Sequence, residues 1–255
     1  MAEYATILVE HAGPIARVTL NRPEKRNPIG PVTCGELVHA LAMLSAADDT
    51  RVIVITGAGT AFSAGGDLSA MTGAPASQAA SLVELLLALH AVGKPVVAMV
   101  NGPAMAGGLG LMVACDLVIA ADTATFGTTE IAVGLWPMMI TAEIVRSVGR
   151  KRTLEMMLTG RKLDAAEALA CGLVTRVVPA AELEAATHQL VSELAGRSPA
   201  AVALGLRAFY RSQDLELEPQ LRFLEAEFGR VLALDDAREG IAAFLAKRKP
   251  VWSGK

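Results

Sequence analysis

Very little net charge is left once the ionisable residues cancel: 23 Lys and Arg against 26 Asp and Glu give −3. So balanced a chain is neither a general nucleic-acid binder nor a polybasic membrane clamp. Cysteine is scarce. Cys34, Cys115 and Cys171 are odd in number and far apart, with neither a metal-ligand spacing nor a disulfide framework, so a reducing cytoplasm is the simplest setting. Aromatics are few, with six Phe, two Trp and two Tyr, and the 53% apolar content is mostly Ala, Leu, Val and Met. The P-loop pattern GxxxxGKS/T, the GxSxG elbow and HExxH are all missing, and His11, His39, His90 and His188 stand isolated. The usual side-chain toolkits for phosphate, acyl-serine and zinc chemistry are therefore thin. Glu3 stands where a secretory signal carries positive charge, and no uninterrupted apolar region follows it.

What is present is a chain able to bury a large core. Its 255 residues suggest one large domain or one with an appendage. Only 19% of residues are charged and the mean hydropathy is +0.43, which excludes disorder as the dominant state. The run from Pro95 to Cys115, between Lys94 and Asp116, carries no formal charge and is long enough to span a bilayer. Asn101, Gly102-Pro103, Gly107-Gly108 and Gly110 would break such a helix near its middle. The run reads instead as a buried strand, a tight turn and a short buried helix over Leu109–Ala114.

Strands are expected at residues 6–10, 15–20, 51–56, 95–100 and 117–120, with helices between them around residues 37–48 and 81–92. This alternation implies an α/β layer with crossovers. Beyond residue 140 helical patterns dominate, at 141–148, 151–159 and 164–170, with a short strand at 173–178. Asp164 with Glu167 is a capping-box start, and Ser198-Pro199 an N-cap with Pro in the first turn. The best partition is an α/β core over residues 1–195 and a helical C-terminal region over 196–255.

Two glycine-rich turns each follow a buried strand: Phe62-Ser63-Ala64-Gly65-Gly66-Asp67-Leu68 and Asn101-Gly102-Pro103-Ala104-Met105-Ala106-Gly107-Gly108. Glycine lets the main chain approach a bound group, and amides at a helix start have no partner. Two such amides converging from separate turns would form an oxyanion hole. Either turn alone is more simply an ordinary turn.

Together with their surroundings they resemble the crotonase (enoyl-CoA hydratase/isomerase) superfamily. The resemblance runs from Leu20 to Lys249 through Leu20-Asn21-Arg22-Pro23 with Asn27, Ala61 to Leu68, Lys94-Pro95-Val96, Asn101-Gly102 and Gly107-Gly108. It continues through Cys115-Asp116, Phe126-Gly127 with Glu130, Leu158-Thr159-Gly160, Ala165 to Val174, and Arg238-Glu239-Gly240 to Pro250. It implies an α/β, crotonase-like (ClpP/crotonase) spiral of ββα units, with the C-terminal helices serving oligomerisation and the CoA site. It further implies an acyl-CoA thioester ligand, no cofactor beyond the coenzyme A the substrate carries, no metal, no membrane span, and assembly as trimers or dimers of trimers. The oxyanion donors carry over onto Gly66 and Gly107. The CoA adenine and pantetheine are expected near Lys25, Arg26, Ala64, Asp67 and Leu68. Lys247 with Phe244 would reach the CoA phosphates from a neighbour's last helix; the alternative for Lys247-Arg248-Lys249 is a solvated helix end whose charge suits the dipole.

Departures from the family pattern bear on the reaction. Hydratases of the family hold water between two glutamates. One is present as Glu130, but the other position, three residues past Gly107, is Gly110. A lone glutamate resembles the family's Δ3-Δ2 enoyl-CoA isomerases, in which one carboxyl group can take a proton from C2 and return it at C4. Two alternatives stand beside this: hydration with a substitute second acid such as Glu143, or a non-catalytic acyl-CoA-binding subunit. Trp136, Met138 and Met139 replace a glycine turn and would line an apolar acyl pocket, or simply pack the core. Asp116 is expected to satisfy local backbone donors.

Overall fold

The computed structural model describes residues 3–67 and 79–255. The chain opens with a hairpin of β1 (Ile7–Ala12) and β2 (Ile15–Leu20). It continues through α1 (Pro31–Ala46), β3 (Val52–Gly57), α2 (Leu82–Ala91), β4 (Val96–Val100), β5 (Ala104–Met105), α3 (Ala106–Val113), β6 (Leu117–Ala121) and β7 (Thr125–Gly127). Then come α4 (Thr141–Thr159), β8 (Lys162–Asp164), α5 (Ala165–Ala170), β9 (Arg176–Val178), α6 (Leu183–Ala195), α7 (Pro199–Ser212), α8 (Leu217–Leu232) and α9 (Asp235–Leu245).

The main sheet has the order β1-β2-β3-β4-β6-β9, parallel except for the opening hairpin. Parallel strands fed by crossovers are covered on both faces, and the side-chain alternation shows it. Ile53, Ile55, Val96, Ala98 and Val100 point into the larger core, shared with α1, α2 and α3. Val52, Val54, Val97 and Met99 point the other way, against Leu183, Val191 and Ala195 of α6. The uncharged run 95–115 is thus strand, turn and helix inside a packed core. Among the described residues no helix is long and apolar enough to cross a membrane.

The expected elements are present, with three instructive differences. The helix expected from Leu109 begins at Ala106, so it includes both Gly107 and Gly108. The two helices expected at 141–148 and 151–159 form one run interrupted at Gly149 (φ 73°, ψ 167°). A second small sheet, β5-β7-β8, was not readable, because strands of two or three residues leave no periodicity. The capping box of Asp164 and Glu167 is made in both directions, at 2.8 and 3.2 Å. Ser198 accepts from the Ala201 amide at 3.1 Å.

Asn27 holds the entry to the site. Its side chain accepts from the Arg22 amide at 2.9 Å and donates to the carbonyls of Ala58 and Ala61 at 2.8 and 2.9 Å. It is buried and takes a left-handed φ of 55°, a conformation Asn tolerates better than most residues. Asn27→Ala loses three hydrogen bonds of about 1 kcal/mol each. The expected loss of about 3 kcal/mol should lower the thermal midpoint by roughly 6–12 °C in a melting experiment.

Candidate active site

The two glycine turns are zipped together by backbone bonds. Ser63 N–H donates to Pro103 at 3.1 Å and Met105 N–H to Ser63 at 3.0 Å. On its other side the first turn forms a parallel bridge to Ile29. Ile29 N–H donates to Gly65 at 2.7 Å and Asp67 N–H to Ile29 at 3.0 Å. Parallel pairing of this kind uses the residues flanking Gly66, so Gly66's own amide turns away from Ile29. Gly107 is the second residue of α3, and its amide has no intrahelical acceptor. A Cβ placed on Gly107 would stand 3.8 Å from the Gly66 nitrogen. The two amides expected to form an oxyanion hole are therefore neighbours.

Contacts that tolerate almost no side chain set this proximity. A Cβ on Gly65, whose φ is +104°, would lie 2.6 Å from the Ala106 Cβ, and one on Gly108 would fall on the Ser63 side chain. Ser63 is buried and donates through Oγ to the Asn27 carbonyl at 2.7 Å. Ala106, immediately before Gly107, has a φ of 49°, which costs a residue bearing a Cβ about 1–2 kcal/mol. Such strain persists where the surroundings over-determine the backbone.

The small sheet ties the segment bearing Glu130 to the second glycine turn. β5 and β7 pair in parallel with Met105 opposite Gly127. Two residues past Met105 is Gly107, and three past Gly127 is Glu130, in a 3-10 turn over Thr129–Val133. Glu130 is half-buried, and its Oε2 is inaccessible with no hydrogen-bond partner among the described residues. Burial pushes its pKa up, against a bond from its own backbone amide. A carboxyl group kept partly dry, with one oxygen unpartnered, is suited to carrying a proton rather than to structure.

A cleft of about 570 Å³ brings Arg26 and Ala64 together with Met105, Thr129 and Lys162. Of the residues expected around CoA, Arg26 and Ala64 lie on this cleft and Lys25 is exposed beside it in the chain. Asp67 is mostly buried and paired with Arg22 at 2.7 Å, which braces the first turn. Leu68 lies outside the described residues. Phe244 is 83% exposed near the end of α9. Lys247 follows in a left-handed conformation (φ 50°), within a Schellman closure in which Lys247 and Arg248 donate to Phe244 and Ala243 at 3.1 and 3.0 Å. Trp136 packs partly buried against the main core, whereas Met138 and Met139 are 68% and 48% exposed.

Sequence reasoning missed Met105, Thr129, Lys162 and Ile140. The first three come to the cleft through the small sheet and its flanks. Ile140 is buried, and a Cβ on Gly110 would overlap its Cγ2 and stand 2.8 Å from its Cβ. The missing side chain at Gly110 signalled that something fills the space, but not what. Glu143, weighed as a substitute acid, pairs with His90 at 3.3 Å. The His90 ring stacks on Tyr210 at 4.3 Å, and Tyr210 donates to Asp116 at 2.6 Å. Asp116 also accepts from the Val96 amide at 2.7 Å, the structural role expected of it. Burial raises the Asp116 pKa despite these bonds.

Two neighbouring glycine amides and a partly dry carboxyl group on segments that the small sheet pairs form a candidate site of the kind suited to chemistry beside a carbonyl. The family profile described as enoyl-CoA hydratase/isomerase matches residues 10–255. The human enoyl-CoA hydratase domain-containing protein 3, mitochondrial, is 37% identical over 246 residues, covering 94% of this chain and 80% of that protein. Among solved structures, a Mycobacterium smegmatis enoyl-CoA hydratase superposes with a TM-score of 0.92 at 32% identity, over 97% of this chain and 99% of that one. A Bacillus anthracis enoyl-CoA hydratase gives 0.91 at 31%, over 98% and 100%. The chain belongs to the enoyl-CoA hydratase/isomerase family. It has the crotonase fold and is an enzyme of that superfamily, a hydratase or an isomerase.

Proposed function

We propose that this enzyme is a Δ3-Δ2 enoyl-CoA isomerase with Glu130 as its single catalytic carboxyl group. The observation that carries the reading is the buried, unpartnered Glu130 Oε2, in a chain whose α3 bears Gly110 where a second acid would stand. Glu130 takes a proton from C2 of a 3-enoyl thioester. The amides of Gly66 and Gly107 hold the negative oxygen of the resulting dienolate, each donor being worth roughly 3–4 kcal/mol at the transition state. The protonated Glu130 then delivers the same proton to C4, moving the double bond into conjugation with the thioester. The sequence consumes no water and needs no cofactor beyond the coenzyme A of the substrate.

Arg26 and Lys162 on the cleft supply positive charge for CoA phosphates, offsetting the chain's slight negative charge. Leu217, Leu221, Phe228 and Leu232 form an exposed apolar stripe along α8, all at least 50% exposed, at helical spacing. That stripe supports a trimer or a dimer of trimers in which Phe244 and Lys247 complete a neighbour's CoA site. The cytoplasm suits the unpaired Cys34 and Cys115, whose thiol pKa values burial raises, for Cys34 to about 12.

Purified enzyme mixed with 3-hexenoyl-CoA should form the conjugated 2-enoyl thioester, followed by its ultraviolet absorbance, and should hydrate crotonyl-CoA far more slowly. Rapid hydration with 3-hexenoyl-CoA left untouched would refute the isomerase reading. No turnover of any thioester, with CoA-thioester binding seen by calorimetry, would favour a non-catalytic binding role.

A further inference from the structure

We infer that Ile140 decides between isomerisation and hydration by filling the place beside the oxyanion donors from which a second acid, or a water, would act. The inference rests on the reading of Glu130 as the base that enolises an enoyl thioester. Gly107 and Gly110 lie three residues apart on α3 and so share one helix face, with Cβ positions about 5–6 Å apart. At Gly107 that face looks toward Gly66, where a Cβ on Gly107 would stand 3.8 Å from the Gly66 nitrogen. At Gly110 it looks onto Ile140, whose Cγ2 and Cβ occupy the room a side chain would need.

Ile140 is held firmly there. It is 2% exposed and part of the main core. Its carbonyl accepts from the Ile144 amide at 3.0 Å as α4 begins. A β-branched side chain is stiff at χ1, so Cγ2 has no rotamer to swing into freely. The room that an acid side chain at Gly110 would need, three residues from the Gly107 amide, is thus taken up by aliphatic carbon. An ordered water needs two to four polar partners, and the Ile140 side chain offers none. With no water held over C3, the proton on Glu130 has only carbon to return to. Ile140 is thus a positioning residue that sets specificity, and an acid restored at Gly110 would have no room while Ile140 remains.

The test is how purified variants partition 3-hexenoyl-CoA and crotonyl-CoA between conjugated enoyl and 3-hydroxyacyl products, separated by chromatography. Hydration bonds the oxygen of water to C3 and places a proton at C2, so its product is heavier by one water. Ile140→Val keeps Cγ2 and should give the wild-type product ratio. Ile140→Thr puts a hydroxyl into nearly the same volume, and should raise the ratio of hydrated to isomerised product roughly tenfold or more. Gly110→Glu alone should melt at a lower temperature and gain no hydration. Gly110→Glu combined with Ile140→Gly, which removes the clashing Cβ as well, should gain hydration that neither change gives alone, a coupling expected only of groups sharing one space. Unchanged product ratios in Ile140→Thr, and in the double variant where it folds, overturn the inference while wild-type isomerisation leaves the proposed function standing. Failure of the wild type to isomerise 3-hexenoyl-CoA overturns both.

Discussion

Glu130→Gln should lower kcat for isomerisation of a 3-enoyl-CoA by about a thousandfold, within the 10²–10⁴ range of a general acid–base group. The amide keeps the shape and burial of the carboxyl group but can neither take the C2 proton nor deliver one to C4. KM should change little, because Glu130 serves the moving proton and not CoA recognition. Exchange of the C2 proton with deuterated solvent should disappear in the same variant, since this reads enolisation regardless of the final product. A Glu130→Gln enzyme of full activity would remove Glu130 from the mechanism.

The acid limb of the wild-type rate profile carries a second signature of the same residue. Burial raises the Glu130 pKa, so activity should fall with decreasing pH at a point above the ordinary glutamate value of about 4.3. Only the ionised form can act as base, which gives the limb its sign. A raised pKa also means that the folded state prefers the protonated form. Glu130→Gln should therefore melt higher than wild type at neutral pH. That advantage should shrink as pH falls and Glu130 in the wild type takes up its proton. Activity and stability thus move in opposite directions in one variant, a combination that a general disruption of packing does not produce.

The second large effect is expected from a single methyl group. Gly108→Ala places a Cβ on the Ser63 side chain, and Ser63 is buried between the two turns it links. The turns must separate or rotate. Overpacking of this kind costs about 1–3 kcal/mol. The larger consequence is catalytic, since the amides of Gly66 and Gly107 lose their common aim. Loss of one oxyanion donor lowers kcat by roughly 10²–10³, and Gly108→Ala should approach that figure without touching Glu130. Gly205→Ala is the matched control: Gly205 lies within α7, with open space where its Cβ would go. There the substitution should leave kcat unchanged and stabilise the helix by about 0.8–1 kcal/mol. Equal losses of activity in the two variants would mean that close packing of the turns is not what aligns the donors.

Reading the fold from the sequence worked best where one element carries its own signal. The five expected strands of the main sheet, the capping box at Asp164 and the Ser198-Pro199 start are local patterns, and each is present. The glycine turns were legible for the same reason, because only a backbone that comes unusually close to something needs Gly65 and Gly108 at such spacing. The small sheet was invisible, although the pairing of Met105 with Gly127 is what ties the segment bearing Glu130 to the second glycine turn. Two-residue pairings between segments far apart in sequence leave no trace in either segment. Ile140 was hidden for a related reason: beside Trp136, Met138 and Met139 it looks like one more apolar residue. Which of them turns inward depends on how α4 meets α3.

By itself the sequence determined the layered α/β class, the candidate carboxyl group at Glu130, the two glycine turns proposed as backbone donors and the absence of an acid at Gly110. Each of these is a property of residue type at a position, which a linear string records. Only the tertiary structure decided what occupies the space that Gly110 leaves. The uncharged run from Pro95 to Cys115 shows a face without a side chain there, and the fold closes that face with Ile140, while Glu143 pairs with His90. A gap in one segment is filled by another segment, and complementarity of shape between distant parts of a chain exists only once they are packed.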